Sequence, residues 1–315
     1  MDNLCHTLVG AACGEAGLKR RTRFGPATLM IAANLPDLDV LVLATEVPAV
    51  AFRRGWTHGL LAQALLPVAL AGVLVALNRL WRPRDGAPAF SARWTLLLGY
   101  IGVLSHVALD LLNPYGLRLL APFDWRWWYG DVLFIIDPWL WLILGGGIWL
   151  ARRRGPVAAW HALALALVYV LSMTLNAQTA RALVLDEWRR TRGGDPTSLM
   201  VGPVPLTPFR RQVIVDNGLG YEVGTFQWFP ARIAFDPAVV PKNDGDPRVA
   251  RAREAPHIRG FLVWARFPFW TFEPVAEGTR VTVGDLRFAG QTPARFLAST
   301  IVPDRDQAPP APPAD

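Results

Sequence analysis

The stretch Ser105-His106-Val107-Ala108-Leu109-Asp110-Leu111-Leu112-Asn113-Pro114 closes an apolar run that opens at Trp94. On a helix, His106 and Asp110 lie one turn apart on one face, with about 6 Å between their Cβ atoms. An imidazole and a carboxylate at that spacing can hold one metal ion, as the paired ligands of helical zinc sites do. The same pair can also simply hydrogen-bond each other. The apolar surroundings favour chemistry, because ionisable groups in a membrane-embedded segment are costly and mark function by default. Asn113-Pro114-Tyr115-Gly116 then ends the helix, since proline cannot continue it and glycine suits the following turn.

The elements that position this pair read as a polytopic, mainly α membrane bundle. Residues 3–18 form a short amphipathic helix carrying His6, followed by Lys19-Arg20-Arg21-Thr22-Arg23. Residues 26–45 are apolar but broken by Asn34-Leu35-Pro36-Asp37-Leu38-Asp39, which predicts a broken or re-entrant pair. Such backbone is tolerated at membrane depth only under cover of protein or a wet cavity. Residues 59–78, 94–112, 132–150 and 157–176 read as four spans. Between the second and third, residues 113–131 are rich in aromatics, and Trp127, Trp128 and Tyr129 suit an interfacial belt. After about residue 180, Pro, Gly and charge become frequent. Alternating runs at Gln212–Val215, Tyr221–Trp228, Phe261–Phe267, Arg280–Val283 and Asp285–Phe288 predict strands of a small β-rich soluble domain. The expected division is a membrane-embedded metal-site domain over 1–180, the β-rich domain over 181–303, and a Pro/Ala-rich tail over 304–315 that reads as disordered.

Arginines set the orientation. Arg79, Arg82 and Arg84, and likewise Arg152, Arg153 and Arg154, flank alternate loops and should lie in the cytoplasm. His58, His106, Asp110, Asp131 and Asp137 then fall toward the outer face, as do His6, Asp37 and Asp39 on the N-terminal segments. Convergence of so many ionisable groups at one depth predicts a shared metal site. His161 falls at the opposite end, and His257 reads as a surface residue.

Composition excludes other classes. The chain has 315 residues, 52% hydrophobic and 18% charged. Its net charge of +7 sits at the ends of apolar runs, as topology signals do, so nucleic acid is not expected as a partner. Cys5 and Cys13 lie roughly 12 Å apart along one helix, too far for a disulfide within it. The acidic start Met1-Asp2-Asn3 gives no expectation of a cleavable signal peptide.

Met1-Asp2-Asn3-Leu4-Cys5-His6-Thr7-Leu8-Val9-Gly10, Asn34-Leu35-Pro36-Asp37-Leu38-Asp39, Arg54-Gly55-Trp56-Thr57-His58-Gly59 and the Ser105–Asp110 stretch, in this order, resemble a bacterial inner-membrane metal-dependent hydrolase family over roughly residues 1–180. That family is distantly similar to zinc-dependent phospholipases C, which also use an H-x-x-x-D helix. The resemblance implies a phospholipase C-like metal site and phosphodiester hydrolysis. Two positions depart from its pattern. Cys5 stands where Thr is common, and Arg53 stands where a His often precedes the Arg-Gly-x-Thr-His motif.

The expected ligand set is His6, Asp37, Asp39, His58, His106, Asp110 and Asp137. The expected ion is zinc, with manganese, iron or magnesium also admitted by the carboxylates. Asp37 and Asp39 alternate by two after Pro36, one placed to bridge metals and the other to support them. They are the expected catalytic carboxylates, with Arg54 as a phosphate-binding partner. Arg53 and Arg126 can bind phosphate in the same way or merely snorkel to lipid heads. The expected protein is a multi-pass inner-membrane hydrolase with its site facing the periplasm. It would act on an amphipathic or lipid-linked phosphoester drawn from the bilayer. The rival readings are a metal-ion transporter and a catalytically idle protein with a structural metal.

Overall fold

The computed structural model describes residues 1–45, 47, 49–81, 88–289 and 296–303. The expected tail at 304–315, residues 83–87 of the loop at 83–92, and Arg82 and Arg84 lie outside the described residues.

Asp2 caps the first helix, accepting from the backbone N–H groups of Leu4 and Cys5, so α1 (Asn3–Glu15) starts where the capping rule puts it. A 3-10 turn at Leu18–Arg20 leads into α2 (Gly25–Ala32). Asn34 and Pro36 stop α2, and the chain continues as a 3-10 segment over Leu35–Ala44, bent by 53° from it. The broken pair expected over 26–45 is therefore present. A one-turn helix α3 (Ala49–Phe52) precedes the two long apolar helices α4 (Leu60–Leu80) and α5 (Ala92–Leu111).

Next come α6 (Pro138–Arg154) and α7 (Val157–Arg192). Among the described residues α4, α5 and α7 are long and apolar enough to cross a membrane, and the bent pair makes a fourth crossing if it counts as one span. The span expected over 132–150 is corrected. Asp137 caps α6 through the Leu140 N–H and Pro138 takes its first position, so the helix begins six residues late and has only 17. In contrast, α7 runs to Arg192, 36 residues or roughly 54 Å, straight through residue 180.

The C-terminal part holds two antiparallel sheets. One has the order β1 (Ser198–Pro203), β2 (Arg210–Asp216), β3 (Gly220–Gln227) and β4 (Arg232–Pro241). After α8 (Pro247–Ala252) and α9 (Pro256–Trp264), the second runs β5 (Pro268–Val275), β6 (Gly278–Asp285) and β7 (Leu297–Val302). The strand expected over Phe261–Phe267 is corrected: Pro256 opens a helix, and Ile258, Phe261 and Trp264 bury its inner face at helical spacing. The strand expected over Asp285–Phe288 is a turn closing β6.

The two parts are locked together at the far end of the bundle. Trp264 donates its indole N–H to the Tyr115 carbonyl at 3.0 Å, and Arg287 donates to the Pro114 carbonyl at 2.8 Å. Buried Arg211 reaches back to Asn176 on α7 at 2.6 Å and to the Asp131 carbonyl at 2.9 Å.

Two glycines let the helices close around the site. A Cβ at Gly102 on α5 would sit 2.5 Å from the Ala32 Cβ, so the absence of a side chain lets α5 press on the end of α2. A Cβ at Gly59 would sit 2.3 Å from the Ala121 carbonyl oxygen, and the loop after α5 covers the start of α4 there.

Candidate metal centre

Contact between α2 and α5 gives His106 its orientation. One turn after Gly102, its Nδ1 donates to the Ala33 carbonyl at 2.8 Å. A carbonyl can only accept, so the Nδ1 carries the proton and the Nε2 lone pair faces inward.

His58 is fixed in the same sense by other partners. The Thr57 hydroxyl donates to Asp39 Oδ2 at 3.0 Å, so it can only accept from His58 Nδ1, also at 3.0 Å. His58 therefore also turns a lone pair inward. The two Nε2 atoms stand 3.1 Å apart with no proton assigned between them.

Two carboxylates complete the group. Asp110 Oδ2 lies 3.3 Å from His58 Nε2 and 3.4 Å from His106 Nε2. Asp37 Oδ1, from the 3-10 segment, lies 4.0 Å from each. One donor atom from each of Asp37, His58, His106 and Asp110 falls within 4.8 Å of the others, and all four residues are buried. Tetrahedral bonds of about 2.0–2.1 Å place ligand atoms roughly 3.3–3.4 Å apart, so the donor set fits one divalent ion after small side-chain shifts. Asp37 Oδ1 and Asp110 Oδ2 have no hydrogen-bond partner, which is costly for buried carboxylates. No other group of this kind occurs among the described residues.

Around these four stands a charged collar. Arg54 is buried, and its guanidinium lies 3.1 Å from Asp110 Oδ2, donates to Asn113 at 2.9 Å and stacks over Tyr115. Its left-handed backbone, φ 56°, turns its N–H onto Asp39 Oδ2 at 2.7 Å. Arg53 is more open, with Nε on Asp39 at 3.2 Å and an Nη 3.7 Å from Asp37. His6 stacks on His106 with ring centroids 3.8 Å apart, and its Nε2 lies 3.3 Å from Asp110 Oδ1. Both of its ring nitrogens are buried without a hydrogen-bond partner, although His6 is not one of the four converging donors. The Met1 amino group also contacts Asp110 Oδ1.

Three of the expected ligands, His6, Asp39 and Asp137, are not among the four converging donors. The Asp39 oxygens are engaged by Arg53, the Arg54 N–H and Thr57, so it braces the His58 loop rather than facing the donors. Asp137 caps α6 and accepts from the Tyr169 hydroxyl at 2.9 Å, engaging both of its oxygens. Asp131 pairs with Arg266 at 2.8 Å, and Arg126 pairs with Asp124 at the surface. His161 and His257 are exposed away from the group. Reading by residue type passed over Thr57, Asn113 and Tyr115 as site residues. Thr57 carried a signal, standing directly before His58, whereas Tyr115 had none.

Two comparisons with known proteins bear on the chain. The chain is similar to the uncharacterized protein YfhP of Bacillus subtilis (strain 168), with 25% identity over 317 residues, covering 95% of this chain and 90% of that protein. No solved structure matches it. The family match names a location and no reaction, and neither comparison carries a likeness to phospholipase C. Residues 1–179, the segment that supplies all four converging donors, match the YdjM inner membrane protein family, and the chain belongs to that family.

Proposed function

We propose that this chain is a membrane-bound, metal-dependent hydrolase of lipid-linked phosphoesters, working at the outer face of the inner membrane. The observation that carries the reading is the pair of inward lone pairs on His58 and His106, 3.1 Å apart beside two buried carboxylate oxygens, Asp37 Oδ1 and Asp110 Oδ2, that accept no hydrogen bond. A divalent cation would satisfy all four of these inward donors at once, and the mixed nitrogen and oxygen donors suit zinc. Such an ion supplies a Lewis acid and a water acidic enough to attack at neutral pH. The chain's own groups do the rest. Arg53, at the rim, is placed to bind the phosphoester oxygens, and Arg54 holds Asp110. Asp39 is a positioning residue acting through Thr57 on His58.

The lipid part of the reading rests on the segment that supplies Asp37. Asp37 and Asp39 turn inward while Leu38, Val40, Leu41 and Leu43 are exposed, and exposed Trp56 follows nearby in sequence. A substrate approaching along that face arrives from the bilayer. A transit path for metal ions would need polar groups through to the other face. Between Gln63 and Asn78, α4 carries none.

Purified protein in detergent should carry a transition metal and hydrolyse bis(p-nitrophenyl) phosphate or a short-chain phospholipid. A full metal load with no turnover of any phosphoester would leave a structural metal and sink the hydrolase.

A further inference from the structure

A second site lies where the helical bundle meets the first sheet. A cleft of about 530 Å³ opens between the end of α5, the loop at 128–132, α7 and β1. None of the four converging donors lines it, so this inference does not rest on the metal reading.

Two guanidiniums face this cleft with donors to spare. Arg181 Nη1 donates to the Leu199 carbonyl at 2.6 Å, and Arg266 Nη1 donates to Asp131 Oδ2 at 2.8 Å. Among the described residues, the Nε and Nη2 of both have no hydrogen-bond partner. Arg266 also stacks over Tyr129, 4.6 Å from the ring centroid, which holds its plane and leaves its edge free. With Asp131 as the one carboxylate in the lining, two positive charges against one negative leave one positive charge. A cleft with net positive charge suits the negative charge of a phosphodiester.

Apolar groups, including Leu112, Val132 and Trp128, line much of the rest of the cleft, with Thr174 and Gln178 on the α7 side. On α7, Leu171 and Leu175 are exposed about one to three turns before Gln178 and Arg181. Apolar helix surface below, an aromatic at the rim and arginines above is the layering of a membrane interface. The geometry points to a binding site for the phosphodiester headgroup of one membrane phospholipid, its phosphate on Arg181 and Arg266 and its acyl chains along Leu171 and Leu175.

The test is phospholipid retention by the full-length protein. Protein loaded with dioleoyl phosphatidylglycerol in mild detergent is washed and analysed by native mass spectrometry and by phosphorus content. The parent should keep about one lipid per chain, Arg181→Gln should keep several-fold less, and Arg190→Gln, a remote exposed arginine, should match the parent. Because Arg181 also ties α7 to β1, Gln178→Glu is the second variant. It adds a negative charge at the cleft without touching that contact and should also lower retention. Equal retention in both cleft variants would overturn the proposal. So would a site that binds millimolar inorganic phosphate but retains no lipid.

Discussion

His58 and His106 meet Nε2 to Nε2 at 3.1 Å, although 48 residues separate them in the chain. Each is turned by a different partner, Thr57 in one case and the Ala33 carbonyl in the other. Both partners leave the inward nitrogen unprotonated, and that shared outcome defines the centre.

Loss of the Thr57 hydroxyl should therefore be felt at His58. Thr57→Val removes the acceptor for Nδ1 and the donor to Asp39. Metal affinity should fall about 10- to 100-fold, as it does when the outer partners of ligands are removed, while the protein stays folded. Competition with a chromophoric chelator measures it, and unchanged affinity would mean that His58 needs no such support.

Gly102 should be intolerant of even one methyl. Gly102→Ala places a Cβ 2.5 Å from the Ala32 Cβ and 2.8 Å from the Ala33 backbone nitrogen. The helices must separate, at a cost of about 1–3 kcal/mol, and Ala33 retreats from His106. A lower unfolding temperature in detergent together with weaker metal binding is expected. An unchanged protein would show that the contact is slack.

Part of this was legible in the residues and part was not. The His106 and Asp110 pair could be read because a helix puts residues four apart on one face, and the arginine clusters brought His58 and Asp37 to the same end. The choice between Asp37 and Asp39 was not legible. Which of them faces the histidines depends on the 3-10 path after Pro36 and on the left-handed turn at Arg54. Asp137-Pro138 carried its own signal as a cap followed by a first-turn proline, and apolar content outweighed it. In Phe261–Trp264 an unbroken apolar run fits a strand or a helix equally, and Pro256 five residues earlier decides for the helix.

Acid should loosen the C-terminal domain through Asp285. Burial alone would raise the pKa of this carboxyl, but the Arg287 guanidinium and several hydrogen bonds outweigh it and hold the pKa below the ordinary value. A carboxylate depressed on folding adds stability above its unfolded pKa of about 3.9 and loses it as pH falls further, through the folded value. Thermal unfolding of the parent should thus weaken below about pH 4. Asp285→Asn leaves Arg287 buried without its charge partner and should cost about 3–5 kcal/mol at neutral pH, with a smaller acid step. A variant as stable as the parent at pH 7 would contradict the role given to this pair.

The outward orientation is open to a direct check. Reporter fusions after Gly155, at the Arg152–Arg154 end of α6, and after Gly218, between β2 and β3, should report opposite compartments. A periplasmic signal after Gly155 with a cytoplasmic one after Gly218 would overturn the orientation and move the site to the cytoplasmic side, and equal signals would mean that α7 does not cross the membrane.

The most direct measurement is metal content, by elemental analysis of protein purified in detergent, for the parent and three variants. The parent should carry at least one equivalent of a divalent transition metal. Asp110→Asn and His106→Ala, which each remove one of the four converging donors, should lose most of it while remaining monodisperse. His161→Ala, at the exposed start of α7, should match the parent. A folded parent without metal, or full metal in both Asp110→Asn and His106→Ala, would contradict the account.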